Sequence, residues 1–264
     1  MTRPTLLLIF VMLSGICLSQ YTEPQPVIGQ KALKSMIKRH IVYPEKDINE
    51  KNEGTVSIDF TADKTGTVIS YKVTEGVSNS IDSAAISLFE LIVWEPPTHD
   101  MVPVEGPGEF KIKFNLKQYN RLVKKRGYNS INLLHNQNDS SLRIYKLKEL
   151  TKAPVPILSN KNETLNGYIY SNLVYPDAAY KTGIDGDVEI VFIIEKNGLP
   201  SNVHAVKHLG GGCTGEAIRI VESIKWYPGL LDNMAVRTQY IIKIRFKRPE
   251  GKDNYIPNQQ GSGI

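Results

Sequence analysis

Cysteine is nearly absent from this chain of 264 residues: Cys17 and Cys213 are the only two. A disulfide framework is therefore excluded, and the fold must be held by its cores. Several chemical signatures are missing as well. There is no His-Glu-x-x-His for a zinc hydrolase, no Gly-x-Ser-x-Gly nucleophile elbow and no Gly-Lys-Ser/Thr phosphate loop. Long apolar runs are missing too. The only one is Leu6 to Leu13, which even extended to Leu18 falls short of the roughly 20 residues that span a bilayer. Arg3 ahead of that run and Cys17-Leu18-Ser19 behind it give the layout of a cleaved secretory signal over residues 1–19. The expectation is an exported chain beginning near Gln20, with an uncleaved inner-membrane anchor as the alternative. Nucleic acid is not an expected partner of an exported chain.

What is present is a repeat. Leu33 to Phe114 lies over Leu165 to Phe246 without a gap, at a constant offset of 132 residues. Tyr43-Pro44 falls on Tyr175-Pro176, Gly66 on Gly198, and Trp94 and Pro96 on Trp226 and Pro228. These are the only two tryptophans, and both are in register. Two copies of a unit this long indicate a domain duplication rather than a solenoid. The expected boundaries are 25–117 and 153–248, with a linker over 118–152 and a disordered tail over 249–264. The linker carries the positive charge: nine Lys or Arg from Lys117 to Lys152 against only Asp139 and Glu149, in a chain of formal net charge +5. It reads first as a solvated connector, and second as a contact for anionic lipid head groups or cell-wall polymer.

Each copy reads as α-β-β-α-β. Helical spacing of Leu33, Met36, Ile37 and Ile41 stops at Tyr43-Pro44. Val56, Ile58 and Phe60 alternate with polar residues as a half-buried strand, and Val188, Ile190, Phe192 and Ile194 repeat it. The turns Asp63-Lys64-Thr65-Gly66 and Glu195-Lys196-Asn197-Gly198 then lead to a second strand. A helix follows in each, with Asp82 and Thr214 placed to cap it. The last strand carries Phe110, Ile112 and Phe114, or Ile242, Ile244 and Phe246, on its inward face. The fold class is thus α+β: two tandem modules, each with a three-stranded antiparallel or mixed sheet packed by two helices. A right-handed crossover places strand three beside strand one and leaves its other edge unpaired.

The ordered set of landmarks resembles the C-terminal domain of TonB-family proteins. It comprises the Tyr-Pro helix end, the Gly turn, Gly210-Gly211-Gly212-Cys213, Glu216-Ala217-Ile218-Arg219 and Trp226-Tyr227-Pro228. The resemblance implies a periplasmic binding domain, and the residues themselves read as a binding module rather than an enzyme, the contending reading being a hydrolase or redox protein that uses Cys213 and His208. The resemblance further implies that a peptide motif of an outer-membrane TonB-dependent transporter adds as a strand to the edge of strand three. A force-transmitting member needs a membrane-spanning helix and a long Pro-rich spacer, whereas only Pro24 and Pro26 lie between the expected signal and the start of the repeat at Leu33.

On this reading the partner-binding residues are Gln239, Tyr240, Ile241, Ile242, Lys243, Ile244 and Arg245. The first module's equivalent strand opens Glu105-Gly106-Pro107-Gly108, where Pro lacks an N–H and glycine weakens strand order, so it is expected to offer less edge. His204 and His208 would lie about 13 Å apart along a strand, too far to share a metal. Cys213 reads as a small loop residue rather than a nucleophile, and Trp94 and Trp226 read as core plugs. No metal or cofactor is expected.

Overall fold

The computed structural model describes residues 20–158, 160 and 162–248, so the expected signal and tail lie outside the described residues. The first module begins with a two-residue strand β1 (Tyr21–Thr22), then α1 (Gly29–His40) and a short α2 (Glu45–Glu50). β2 (Gly54–Ala62), β3 (Val68–Glu75) and α3 (Asn79–Phe89) follow. The small strands β4 (Thr98–His99) and β5 (Val102–Pro103), then β6 (Gly106–Phe114) and α4 (Leu116–Arg126), complete it. The connector contains β7 (Ile144–Lys146), a single 3-10 turn and β8 (Val155–Ile157). The second module runs α5 (Leu165–Asn172), α6 (Asp177–Thr182), β9 (Gly186–Ile194), β10 (Pro200–Lys207) and α7 (Cys213–Ser223). It ends with β11 (Lys225–Tyr227), β12 (Gly229–Leu231) and β13 (Met234–Phe246).

The offset of 132 holds element by element. Adding it to the bounds of α2, β2 and β3 reproduces those of α6, β9 and β10. In both sheets the third strand lies beside the first and antiparallel to it. The first sheet has the order β3-β2-β6, and the second has β10-β9-β13-β12 with β7 also on β13, so β12 and β7 pair with the opening half of β13 beyond the three strands expected. Each sheet has its own core. Val56, Ile58, Phe60, Phe89, Trp94 and Phe114 anchor one, and Val188, Ile190, Phe192, Trp226, Ile244 and Phe246 the other.

The landmarks shared by the two copies do the same mechanical work. The Tyr43 hydroxyl donates to the Asn52 carbonyl and Tyr175 to that of Ile184, while their rings meet Phe114 and Phe246 edge-on at 5.4 and 6.2 Å. Burial comes first in raising both phenols to about 12. Pro44 and Pro176 do not only end a helix. Each stands in extended backbone immediately before α2 or α6, short helices beyond the two expected per module. A proline there costs no hydrogen bond, because the first N–H groups of a helix have no intrahelical partner.

Gly66 and Gly198 have φ of +84° and +78°, and a Cβ on either would stand 2.2 or 2.0 Å from the carbonyl oxygen of Trp94 or Trp226. The turn thus needs glycine for conformation and for close approach, and the tryptophan sets that approach. The expected caps differ. Ser78 caps α3 by accepting from the Ile81 N–H, and Gly212 stands before α7 without a side-chain cap. Asp82 and Thr214 instead sit inside the first turn and accept from the backbone N–H of Val77 and Leu209, tying the preceding loop to the helix.

Two substitutions test this packing. Gly198→Ala should destabilise the protein by at least about 2 kcal/mol, through positive φ and the tryptophan carbonyl. Gly215→Ala, in α7 with nothing within 4 Å of a new Cβ, should stabilise it by about 0.5–1 kcal/mol. Urea unfolding of the two variants checks both signs.

Candidate functional site

The edge expected to bind a partner belongs to β13. Its pairing with β9 runs from Thr238↔Ile194 to Phe246↔Gly186. The connector takes part of the opposite flank, because β7 pairs parallel with β13 at Arg237↔Ile144, Thr238↔Tyr145 and Gln239↔Lys146. Thr238 and Gln239 are therefore paired on both sides, which corrects the expectation that Gln239 belongs to the open edge. From Tyr240 to Phe246 the described residues pair β13 with β9 alone. Seven strand positions span roughly 23 Å, enough for a short extended peptide.

Along that edge the side chains alternate. Ile242, Ile244 and Phe246 are buried in the core, the Tyr240 ring meets Trp226 at 5.0 Å with a tilt of 45°, and Ile241, Lys243 and Arg245 are exposed. Of the predicted residues, Ile242 and Ile244 thus have only backbone to present. Lys243 and Arg245 do not stand free. Asp187 on β9 meets Lys243 at 3.0 Å, Arg245 at 3.2 Å and Lys207 at 3.9 Å. The Lys243 hydrogen bond, then that of Arg245, holds the Asp187 carboxyl below its ordinary range. With Glu189, which lies opposite both Lys243 and Lys207, two carboxylates stand among three cations, which leaves a net charge of one positive on this strip.

The other candidates fall into the core. Cys213 is fully buried at the position equivalent to Ile81, and burial raises its thiol pKa. Gly211, at φ +63°, lies against Ala179, whose Cα would be 2.7 Å from an added Cβ. The Gly-rich loop is therefore a close backbone contact between loop and helix. His204 Nδ1 donates to the Asn202 carbonyl of its own strand at 2.8 Å. Trp94 and Trp226 are both buried.

Sequence reading missed the seam between the modules. Arg237, 4% exposed, reaches from β13 into the first module and uses all five N–H groups. Nε and Nη2 form a fork on Glu195 at 2.9 Å each, Nη1 donates to the carbonyls of Glu90 and Leu142, and Nη2 also donates to that of Leu91. Asn202 bonds the Leu91 carbonyl and the Val93 N–H across the same seam. His40, at the end of α1, meets the Pro200 carbonyl through Nε2 at 3.1 Å. Burial lowers its pKa, partly offset by the Pro200 bond and Glu195. The one available signal was divergence: Arg237, Asn202 and Glu195 replace Glu105, Ser70 and Asp63 of the first copy.

Two antiparallel-edged modules in exact sequence register raise the question of kinship. The family profile described as Gram-negative bacterial TonB protein C-terminal matches twice, over residues 39–116 and 171–248. Both bounds shift by the same 132 residues (171 − 39 and 248 − 116), as the repeat requires. The chain belongs to the TonB C-terminal family. No curated protein matches it. The TonB C-terminal family is one of interaction and transduction domains of the cell envelope, and it ties this chain to TonB-dependent transport at that level. Among the described residues no helix is long and apolar enough to cross a membrane.

The seam yields two predictions. Arg237→Met removes one partner of a buried ion pair and should cost about 3–5 kcal/mol. Calorimetry should then resolve separate unfolding of the two modules in place of a single transition. The second concerns pH. The folded-state pKa of His40 lies below its ordinary 6.5, so its contribution is complete above about pH 6.5 and is lost as the pH falls through the lowered value. His40→Gln keeps a donor without titrating and should lose less stability between pH 7.5 and 5.5. Equal losses in the two proteins would rule His40 out as the titrating group.

Proposed function

We propose that the second module is a periplasmic binder of an extended transporter peptide, taken up by strand addition along Tyr240 to Phe246. The observation that supports this reading most is the backbone of that stretch, which pairs on one side alone among the described residues. Strand addition to an exposed sheet edge is a general mode of peptide recognition, in which main-chain bonds supply affinity and outward side chains supply selectivity. Ile241, Lys243 and Arg245 are the outward side chains here. Family membership links such a domain to an outer-membrane TonB-dependent transporter as partner. A cleaved leader over residues 1–19 would make the chain a soluble component, whereas an anchored form would carry transduction as well.

A second reading has an observation of its own. Two of the five Arg237 bonds, to the Glu90 and Leu91 carbonyls, join the two modules as a paired unit, as in a structural protein of the envelope without energy transduction. That pairing does not consume the strand edges, because the contact runs through α1, the end of α3 and β10 rather than edge to edge. The binding reading therefore keeps its surface.

The deciding experiment places proline at Ile241 and, separately, at Lys243 in the full chain. Binding to a synthetic peptide copying the N-terminal motif of a TonB-dependent transporter is then measured by anisotropy. Ile241 and Lys243 lie two apart on one strand, so their N–H groups face the same side, and loss of binding in both variants is the expected result. Two folded variants with unchanged affinity would exclude strand addition at this edge.

A further inference from the structure

The first module carries two cationic helices side by side. On α1, Lys31, Lys34 and Lys38 are spaced three or four apart and so share one face. On α4, Lys117, Arg121 and Lys125 do the same, with Lys124 beside them. All seven side chains are exposed. Neither helix contains Asp or Glu, and no ion pair occupies any of the seven among the described residues. Two carboxylates from other elements reach these helices and are engaged there: Glu53 accepts from the Leu116 N–H, and Glu222 meets Arg39 at 2.6 Å. Seven cations against Glu53 still leave a strongly positive face.

The two helices are tied together. Arg126, at the end of α4, donates to the Lys38 carbonyl at 3.0 Å, and the Tyr128 hydroxyl donates to that of Arg39 at 3.0 Å. Between the helices runs a groove of about 360 Å³. Lys34 and Lys38 line one side of it, Gln118 and Leu122 the other, over an apolar floor of Ile37, Ile41, Tyr43 and Tyr119. Arg121 and Lys125 follow Gln118 and Leu122 by three residues, so a second row of cations borders the same groove.

Local stability does not account for this charge. Cations near helix C-termini are favourable, which covers Lys38, Lys124 and Lys125. Lys31 and Lys117 stand in first turns that hold no acidic residue, where the helix dipole disfavours a positive charge. The repeat does not require it either. Glu163, Asn166 and Tyr170 stand 132 residues after Lys31, Lys34 and Lys38, so the cationic face of α1 has no counterpart in the second copy. All seven cations also lie outside residues 39–116, the stretch that carries the family pattern.

We propose that this face seats the protein on the surface of an anionic phospholipid bilayer. Clusters of about four to eight Lys or Arg on an amphipathic helical surface suit such lipids, each cation adding about fivefold to affinity. The apolar floor favours an amphiphile over a wholly polar polyanion, because a lipid brings hydrocarbon next to its phosphate. Lipid phosphates meet the two rows of cations, while Ile37 and Leu122, half-buried in the free protein, turn toward the base of the head groups. None of these residues belongs to the second module, so β13 keeps its open stretch when the first module is seated. The inference is independent of the peptide reading.

The test sediments the full chain with vesicles of equal parts phosphatidylglycerol and phosphatidylcholine, or of phosphatidylcholine alone. The expected result is stronger binding to the anionic vesicles, weakening as salt is raised. Leu6 to Leu13 is common to every variant, so its affinity for hydrocarbon cancels in the comparison. Lys34→Gln/Lys38→Gln/Arg121→Gln, with an unchanged thermal midpoint, should bind the anionic vesicles about a hundredfold more weakly, as three losses of about fivefold. Lys64→Gln/Lys148→Gln/Lys181→Gln removes the same charge from other exposed positions and should bind as the parent does. Ile241→Pro should also leave vesicle binding intact, which keeps failure here distinct from failure of the peptide reading. Equal binding to both vesicle types, equal losses in the two triple variants, or sedimentation with purified cell-wall sacculi but not with vesicles would each overturn the proposal.

Discussion

The Arg237–Glu195 pair is the contact on which the arrangement of this molecule depends. A guanidinium at 4% exposure is costly unless every donor is met, and here each N–H finds a carboxylate or a carbonyl. Three of those acceptors come from outside the second module: Glu90 and Leu91 at the end of α3, and Leu142 in the connector. Helix C-termini leave carbonyls unpaired, so the first module presents a ready acceptor for a cation. The same contact positions Leu142 just ahead of β7, and β7 in turn covers the opening residues of the β13 edge. Where the open part of the β13 edge starts thus follows from where one arginine is satisfied.

Duplication followed by divergence explains why this contact occurs once. A module docking head to tail on its own copy forms a heterologous interface, which can repeat without closing. The first module's equivalents of Arg237, Asn202 and Glu195 are Glu105, Ser70 and Asp63. Asp63 is committed to its own turn, accepting from Thr65 and Thr67. The docking end is therefore built into the second copy only, and the pair stops at two. β10, buried through its first four residues under α1, and β3, exposed over most of its length, are the same strand with and without a neighbour.

Much of the fold was legible because its signals are local. Alternation in β2 and β9, the Gly turns and the Tyr-Pro helix ends each depend on a few adjacent residues, and the offset of 132 doubled every one of them. The short helices α2 and α6 were less legible, since a proline before a helix looks in sequence like a proline that ends one. Asp82 and Thr214 carried the right chemistry for a cap, but their partners Val77 and Leu209 were set by the path of the preceding loop. Of the candidate site, the outward alternation of Ile241, Lys243 and Arg245 could be read, while the pairing of Gln239 with Lys146 and the capture of Lys243 by Asp187 could not.

The sequence alone determined that there are two copies of one module, which residues face inward, and that the third strand lies beside the first. These follow from periodicity, handedness and repetition, all of which are properties of the chain taken in order. Tertiary structure decided how much of each edge remains open, which lysines are already neutralised, and how the modules meet. Those outcomes rest on contacts such as Arg237 with Leu91 across 146 residues and Asp187 with Arg245 across 58. Hydrogen bonds and charges act over a few ångströms in space, and no periodicity along the chain records which distant groups will come within that reach.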